Sequence, residues 1–100
     1  MTKKVFIMGA STGIGRALAI KYAKADTILG LASRRIELLE EIKIICESLS
    51  CKTFIYKVDV RQEEDCLKAT KHFIKSAKGI DIIIANSGIG ISDDILSGSS

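Results

Sequence analysis

Short apolar runs alternate with amphipathic stretches along all 100 residues, and no other feature narrows the fold as much. The runs are Lys3–Met8 (KKVFIM), Thr27–Ala32 (TILGLA), Lys52–Val58 (KTFIYKV) and Ile80–Ala85 (IDIIIA). Each has strand length, and most are apolar on both faces, as strands buried between two layers must be. Between them, Ile14 to about Lys24, Ile36 to about Leu49 and Gln62 to about Lys78 repeat apolar residues at helical spacing. The first helix is expected to bury Ile14, Leu18 and Tyr22, with Ala17 and Ala19 permitting close packing. The second is expected to bury Leu38, Ile42, Ile45 and Leu49. The third has Cys66, Ala69, Phe73 and Ala77 as its stripe, flanked by Leu67 and Ile74. Acids at 63 to 65 and lysines at 75 and 78 suit the dipole of that helix, and Gly79 ends it. Strands joined by helices form a parallel sheet. Right-handed crossovers place the first two helices on one face and the third on the other. The expected strand order is 3-2-1-4, a doubly wound α/β/α sandwich whose ligand crevice lies at the carboxyl edge between strands 1 and 4.

Composition excludes several classes of function. The net charge of +3 is mild and the lysines are spread along helical segments, so no basic block favours nucleic acid or lipid. No apolar stretch reaches the ~18 residues of a membrane span, and the run after Lys3 and Lys4 reads as a strand rather than a signal peptide. Cys46, Cys51 and Cys66 are odd in number and form no C-x-x-C pair. Reduced thiols in a cytoplasmic protein are the expectation, with Cys46 and Cys66 serving as packing residues.

The segment Gly9-Ala10-Ser11-Thr12-Gly13-Ile14-Gly15 joins the first strand to the first helix. Glycines there let the chain turn sharply and let a ligand approach the backbone without meeting a Cβ. The helix start adds unpaired N–H groups and the positive end of its dipole. That combination suits a pyrophosphate. The spacing is neither G-x-G-x-x-G, since position 18 is leucine, nor a Walker A loop, since no lysine follows the last glycines. With Ala-Ser-Thr inside it and Ile14 between its last glycines, the turn resembles the cofactor turn of the short-chain dehydrogenase/reductase family, whose domain is a Rossmann-type sheet.

Three further segments extend that resemblance in the same order along the chain. Ala32-Ser33-Arg34-Arg35 ends the second strand, where an NAD-binding fold usually offers an acid to the ribose and an arginine accommodates the 2′-phosphate of NADP. No acid stands at 32 to 35. Arg34 therefore resembles the phosphate-clamping arginine, with Arg35 and the Ser33 hydroxyl as helpers. Val58-Asp59-Val60 looks like the family's adenine contact, Asp59 accepting from the exocyclic amine and the Val60 N–H meeting a ring nitrogen. The plain alternative makes Asp59 only the N-cap of the third helix. Ala85-Asn86-Ser87-Gly88 resembles the family's Asn-Asn-Ala-Gly segment beneath the adenosine, with Ala85 in place of the first Asn and Ser87 in place of Ala.

The resemblance covers residues 1–100 as the N-terminal, cofactor-binding part of one NAD(P)-binding domain. It implies an oxidoreductase that interconverts a carbonyl and an alcohol, NADP(H) preferred over NAD, a small-molecule substrate, no metal, and a dimer or tetramer as the complete protein. Tyr22 and Tyr56 do not fit the family's Tyr-x-x-x-Lys pair, because positions 26 and 60 are Asp and Val. The chain alone is therefore expected to be inactive. Its fourth strand is expected to present a bare apolar edge. Two other readings stay open: a nucleotide-responsive regulator or redox sensor without catalysis, and a sugar-nucleotide epimerase, which usually carries G-x-x-G-x-x-G. His72 reads as a partly exposed structural histidine.

Overall fold

A computed structural model of the chain describes residues 2–11 and 13–85. The elements run β1 (Lys3–Met8), α1 (Gly13–Tyr22), β2 (Thr27–Ser33), α2 (Ile36–Ser48), β3 (Lys52–Lys57), α3 (Glu63–Ala77) and β4 (Ile82–Ala85). All strands are parallel in the order β3-β2-β1-β4, as the alternation requires. Registers are continuous: Met8 lies beside Ala32 on one side and Ala85 on the other, and Ser33 lies beside Lys57.

Alternate residues of β1 and β2 enter two separate cores. Val5, Ile7, Leu29 and Leu31 pack with α1 and α2, whereas Phe6, Met8 and Ala32 pack with α3. This division places α1 and α2 on one face and α3 on the other. The α3 stripe is the expected one, Cys66, Ala69, Phe73 and Ala77. Its C-terminus closes through Lys78 in the left-handed region, followed by Gly79 at φ 139°.

The other two helices are rotated from expectation. On α1 the buried residues are Gly15 and Ala19, Leu18 and Tyr22 only flank the core, and Ile14 is 67% exposed. Small residues face inward because α1 starts hard against the preceding turn, leaving no room for a branched side chain. On α2 the buried stripe is Leu39, Ile42 and Cys46, while Leu49 is exposed. Cys46 fits where α2 meets α1, its S–H donating to the Ala19 carbonyl at 3.8 Å. A leucine or isoleucine there would hold the helices apart.

Strand β4 begins at Ile82, two residues later than the apolar pattern predicts. Asp81 explains the delay. Its N–H donates to the Lys4 carbonyl and its carboxylate accepts from the Lys4 N–H, both at 2.8 Å. Among the described residues nothing pairs with the outer side of β4, so it ends the sheet.

Candidate nucleotide-binding site

The site lies at the carboxyl edge of the sheet, where β1, β2 and β3 release their next residues side by side. After Met8 the chain turns over the end of β2: the N–H groups of Gly9 and Ala10 both reach the Ala32 carbonyl, at 2.8 and 3.3 Å. Gly9 has φ 80°, a conformation that disfavours L side chains. A Cβ on Gly15 would lie 2.2 Å from the Gly9 carbonyl oxygen and 2.9 Å from the Ala10 Cα. The glycine at 15 is therefore what lets the helix start seat against the turn. Gly13 differs. At φ 58° it is left-handed, and a Cβ on it would meet nothing within 4 Å. It borders open space at the N-terminus of α1, whose first turn holds no acidic residue. An anion is favoured there by the helix dipole. These features fit a pyrophosphate.

A connection invisible in the motif ties this turn to β2. The Ser33 hydroxyl donates to Ser11 Oγ at 2.8 Å and accepts from the Arg35 N–H at 3.2 Å. Both serines are buried. The Ser33 hydroxyl thus holds the turn and the start of α2 together. A signal for this existed in the β1–β2 register, which brings residues 11 and 33 to neighbouring strand ends. Arg34 and Arg35 are exposed beyond Ser33, and among the described residues neither joins an ion pair. Ile14 is exposed at the other flank of the turn.

The Val58 N–H donates to the Ser33 carbonyl at 2.9 Å, so Asp59 and Arg34 are each the next residue beyond one backbone contact. Asp59 is not the cap of α3. That position is held by Gln62, which makes no side-chain cap bond, while the Asp59 carbonyl accepts from the Gln62 N–H at 2.8 Å. The Asp59 carboxylate instead receives three bonds from Arg61. Oδ1 accepts from its N–H at 2.9 Å and its Nε at 3.1 Å, and Oδ2 from its Nη2 at 3.0 Å. The guanidinium bond, the backbone bond and the nearby charges of Arg61 and then Arg34 hold this carboxyl down at about 2. Val60 is partly buried against the α3 core. Arg61 is a candidate site residue that the motif reading missed, although its spacing from an Asp just beyond a strand end is a local signal for such a pair.

Thr12, Asn86, Ser87 and Gly88 lie outside the described residues. His72 is on α3, where its Nδ1 is 2.9 Å from the Tyr56 hydroxyl. Burial pushes the Tyr56 hydroxyl up to about 12. The three cysteines are free and buried, and burial raises each thiol, Cys46 to about 11. Among the described residues no cluster of His, Cys, Asp or Glu could hold a metal ion, and no helix is long and apolar enough to cross a membrane.

Comparison with known proteins agrees with this fold. The family described as short chain dehydrogenase matches residues 3–99. A farnesol dehydrogenase of Aedes aegypti is 35% identical over 95 residues, covering 94% of this chain and 39% of that protein. Among solved structures, carveol dehydrogenase from Mycobacterium avium in complex with NAD superposes with a TM-score of 0.81 at 26% identity, over 90% of this chain and 37% of that one. L-sorbose reductase from Gluconobacter frateurii, complexed with NADPH and L-sorbose, superposes with a TM-score of 0.76 at 31% identity, over 89% of this chain and 34% of that one. The chain thus spans little more than a third of the length of these relatives.

Proposed function

Since the chain belongs to the short-chain dehydrogenase family, we propose that it forms the cofactor-binding part of an NADP(H)-dependent oxidoreductase acting on a small carbonyl or alcohol. The observation that carries this reading is the cradle at the end of β1, in which Gly15 seats the helix on the turn and Gly13 leaves open space before the α1 amides. The pyrophosphate would lie across Gly9, Ser11, Thr12, Gly13, Ile14 and Gly15. Ile14 is a non-polar wall exposed at the mouth of that space. Ser33, Arg34 and Arg35 form the ribose end, with Ser33 acting through its tie to Ser11 rather than by direct contact. Asp59 and Val60 take the adenine edge, and Asn86, Ser87 and Gly88 are assigned to the adenosine side by the resemblance of their segment to the family's Asn-Asn-Ala-Gly. When bound, the nicotinamide cofactor supplies or accepts the hydride. This chain's residues bind and orient its adenosine and diphosphate.

The preference for NADP(H) rests on Arg34 and Arg35, whose guanidinium groups are exposed and unpaired among the described residues, and on the absence of an acid at the end of β2. A charge-assisted contact to a phosphate contributes about 1.5–3 kcal/mol, or roughly tenfold to a hundredfold in affinity. Arg34→Ala should therefore weaken NADPH binding by at least about tenfold while changing NADH binding little, read by fluorescence titration. Equal effects on both cofactors would remove the arginine from this role. Three buried free thiols agree with a reducing compartment such as the cytoplasm.

A further inference from the structure

The Asp59–Arg61 clasp deepens the cofactor reading and rests on it. We propose that Arg61 is a specificity-determining residue: by occupying the Asp59 carboxylate it keeps Arg34 free and lets the adenosine end of the site accept a 2′-phosphate.

The geometry creates the problem that Arg61 solves. Ser33 and Lys57 are partners across β2 and β3, and the Val58 N–H reaches the Ser33 carbonyl. Arg34 and Asp59 therefore leave neighbouring strand ends together. An unmasked carboxylate at that place has two possible effects, and both oppose NADPH. It can pair with Arg34 and remove the phosphate's cation, or it can face the phosphate and repel it. Even an ordinary aspartate is ionised throughout the physiological range, so protonation offers no relief. Arg61 meets this charge with three donors placed within two residues of it. A planar guanidinium matches a carboxylate in this way, whereas a lysine ammonium would supply the charge without the fork.

The clasp leaves the carboxylate usable. Oδ2 receives a single bond, from Nη2, and so retains a lone pair for an exocyclic amine. The Arg61 side chain is 57% exposed, which keeps part of its guanidinium available at the rim. Arg34, Arg35 and Arg61 set against Asp59 sum to two positive charges, and without Arg61 the remaining three groups sum to one.

Binding of NADPH, NADH, 2′,5′-ADP and 5′-ADP to the full-length protein tests the proposal. Arg61→Gln should weaken NADPH and 2′,5′-ADP by about tenfold and leave NADH and 5′-ADP within roughly threefold, since only the former pair carries the extra phosphate. The difference should grow at low ionic strength, where charges are less screened. Arg61→Lys should recover part of the loss. The decisive variant adds Asp59→Asn to Arg61→Gln: deleting the exposed charge should return the ratio of NADPH to NADH affinity to within about threefold of wild type, any lost adenine contact weakening both ligands alike. Equal losses for phosphorylated and unphosphorylated ligands would make Arg61 merely structural and overturn the proposal, as would failure of the double variant to recover. A wild-type protein that binds none of the four ligands would instead sink the cofactor reading itself.

Discussion

Replacing Gly15 with alanine and Gly13 with alanine adds the same methyl group two residues apart, yet the structure assigns the two changes different consequences. At position 15 the new Cβ would lie 2.2 Å from the Gly9 carbonyl oxygen, with the Gly9 carbon at 3.0 Å. A carbon and a carbonyl oxygen ordinarily approach to about 3.3 Å. The helix start and the turn must therefore separate by roughly 1 Å, and both are backbone, so no side-chain rotation can absorb the overlap. Overpacking of this kind costs about 1–3 kcal/mol, and the rigidity of both partners places this case at the upper end. For a domain of this size about 3 kcal/mol lowers the melting temperature by roughly 12–24 °C. Gly13→Ala meets nothing within 4 Å and pays only for its left-handed φ of 58°, about 1–2 kcal/mol. Its cost falls on the ligand, because the methyl enters the space assigned to the pyrophosphate. Urea denaturation followed by circular dichroism, combined with NADPH titration, separates the two. Gly13→Ala should lose only about 1–2 kcal/mol of stability, less than Gly15→Ala, and bind at least about tenfold more weakly, a loss on the scale of one charge-assisted hydrogen bond. Gly15→Ala should lose stability before any ligand is added. Equal destabilisation by the two alanines, or a Gly15→Ala protein as stable as wild type, would refute the packing argument.

Two further perturbations probe the face that α3 covers. Gly30→Ala places a Cβ 2.4 Å from the Phe6 ring and 2.6 Å from the Phe73 ring, both fully buried. It should destabilise by about 2–3 kcal/mol in denaturant melts, and Phe73→Leu in the same chain should return part of that loss; an additive double variant would contradict the shared contact. The Tyr56 hydroxyl is raised from 10 to about 12 by burial, so the folded state resists its ionisation. Its contribution is complete below the unfolded value near 10 and is lost as pH rises through about 12. Tyr56→Phe should therefore make the unfolding midpoint fall less steeply across that window than it does in wild type, and identical slopes would count against the burial argument.

Much of the architecture was legible in the residues because a parallel sheet imposes strong patterns. Apolar runs such as Val5-Phe6-Ile7-Met8 have no exposed face, and an α3 stripe with few competing apolar positions admits a single orientation. Patterning was weaker where small residues carry the contact. The α1 sequence offers Ile14, Leu18 and Tyr22 as a plausible stripe, but the steric demand at Gly15 turns Ala19 inward and leaves Ile14 at the surface. On α2, Leu38 and Leu39 are equivalent by composition. Only the approach of α1 to Cys46 decides between them. The site followed the same division. Its glycines and arginines stand out by spacing, whereas the Ser11–Ser33 bond joins residues 22 apart and needs the strand register to be found.

What the sequence determined by itself was local and periodic: which segments are strands, which are helices, and where the backbone can turn without a side chain. These properties depend on neighbours within a few positions, so a linear reading reaches them. What the tertiary structure alone decided was how the strand ends share their residues. Asp59 could have capped α3, paired with Arg34 or faced solvent, and each choice suits its sequence context. The chain gives it to Arg61, whose three donors lie two residues away, while Val58 and Ser33 bring Arg34 alongside. The Asp59–Arg61 pair itself is local, but whether Arg34 stands close enough to compete for that carboxylate depends on distances through space, and those exist only once the sheet has set its strands side by side.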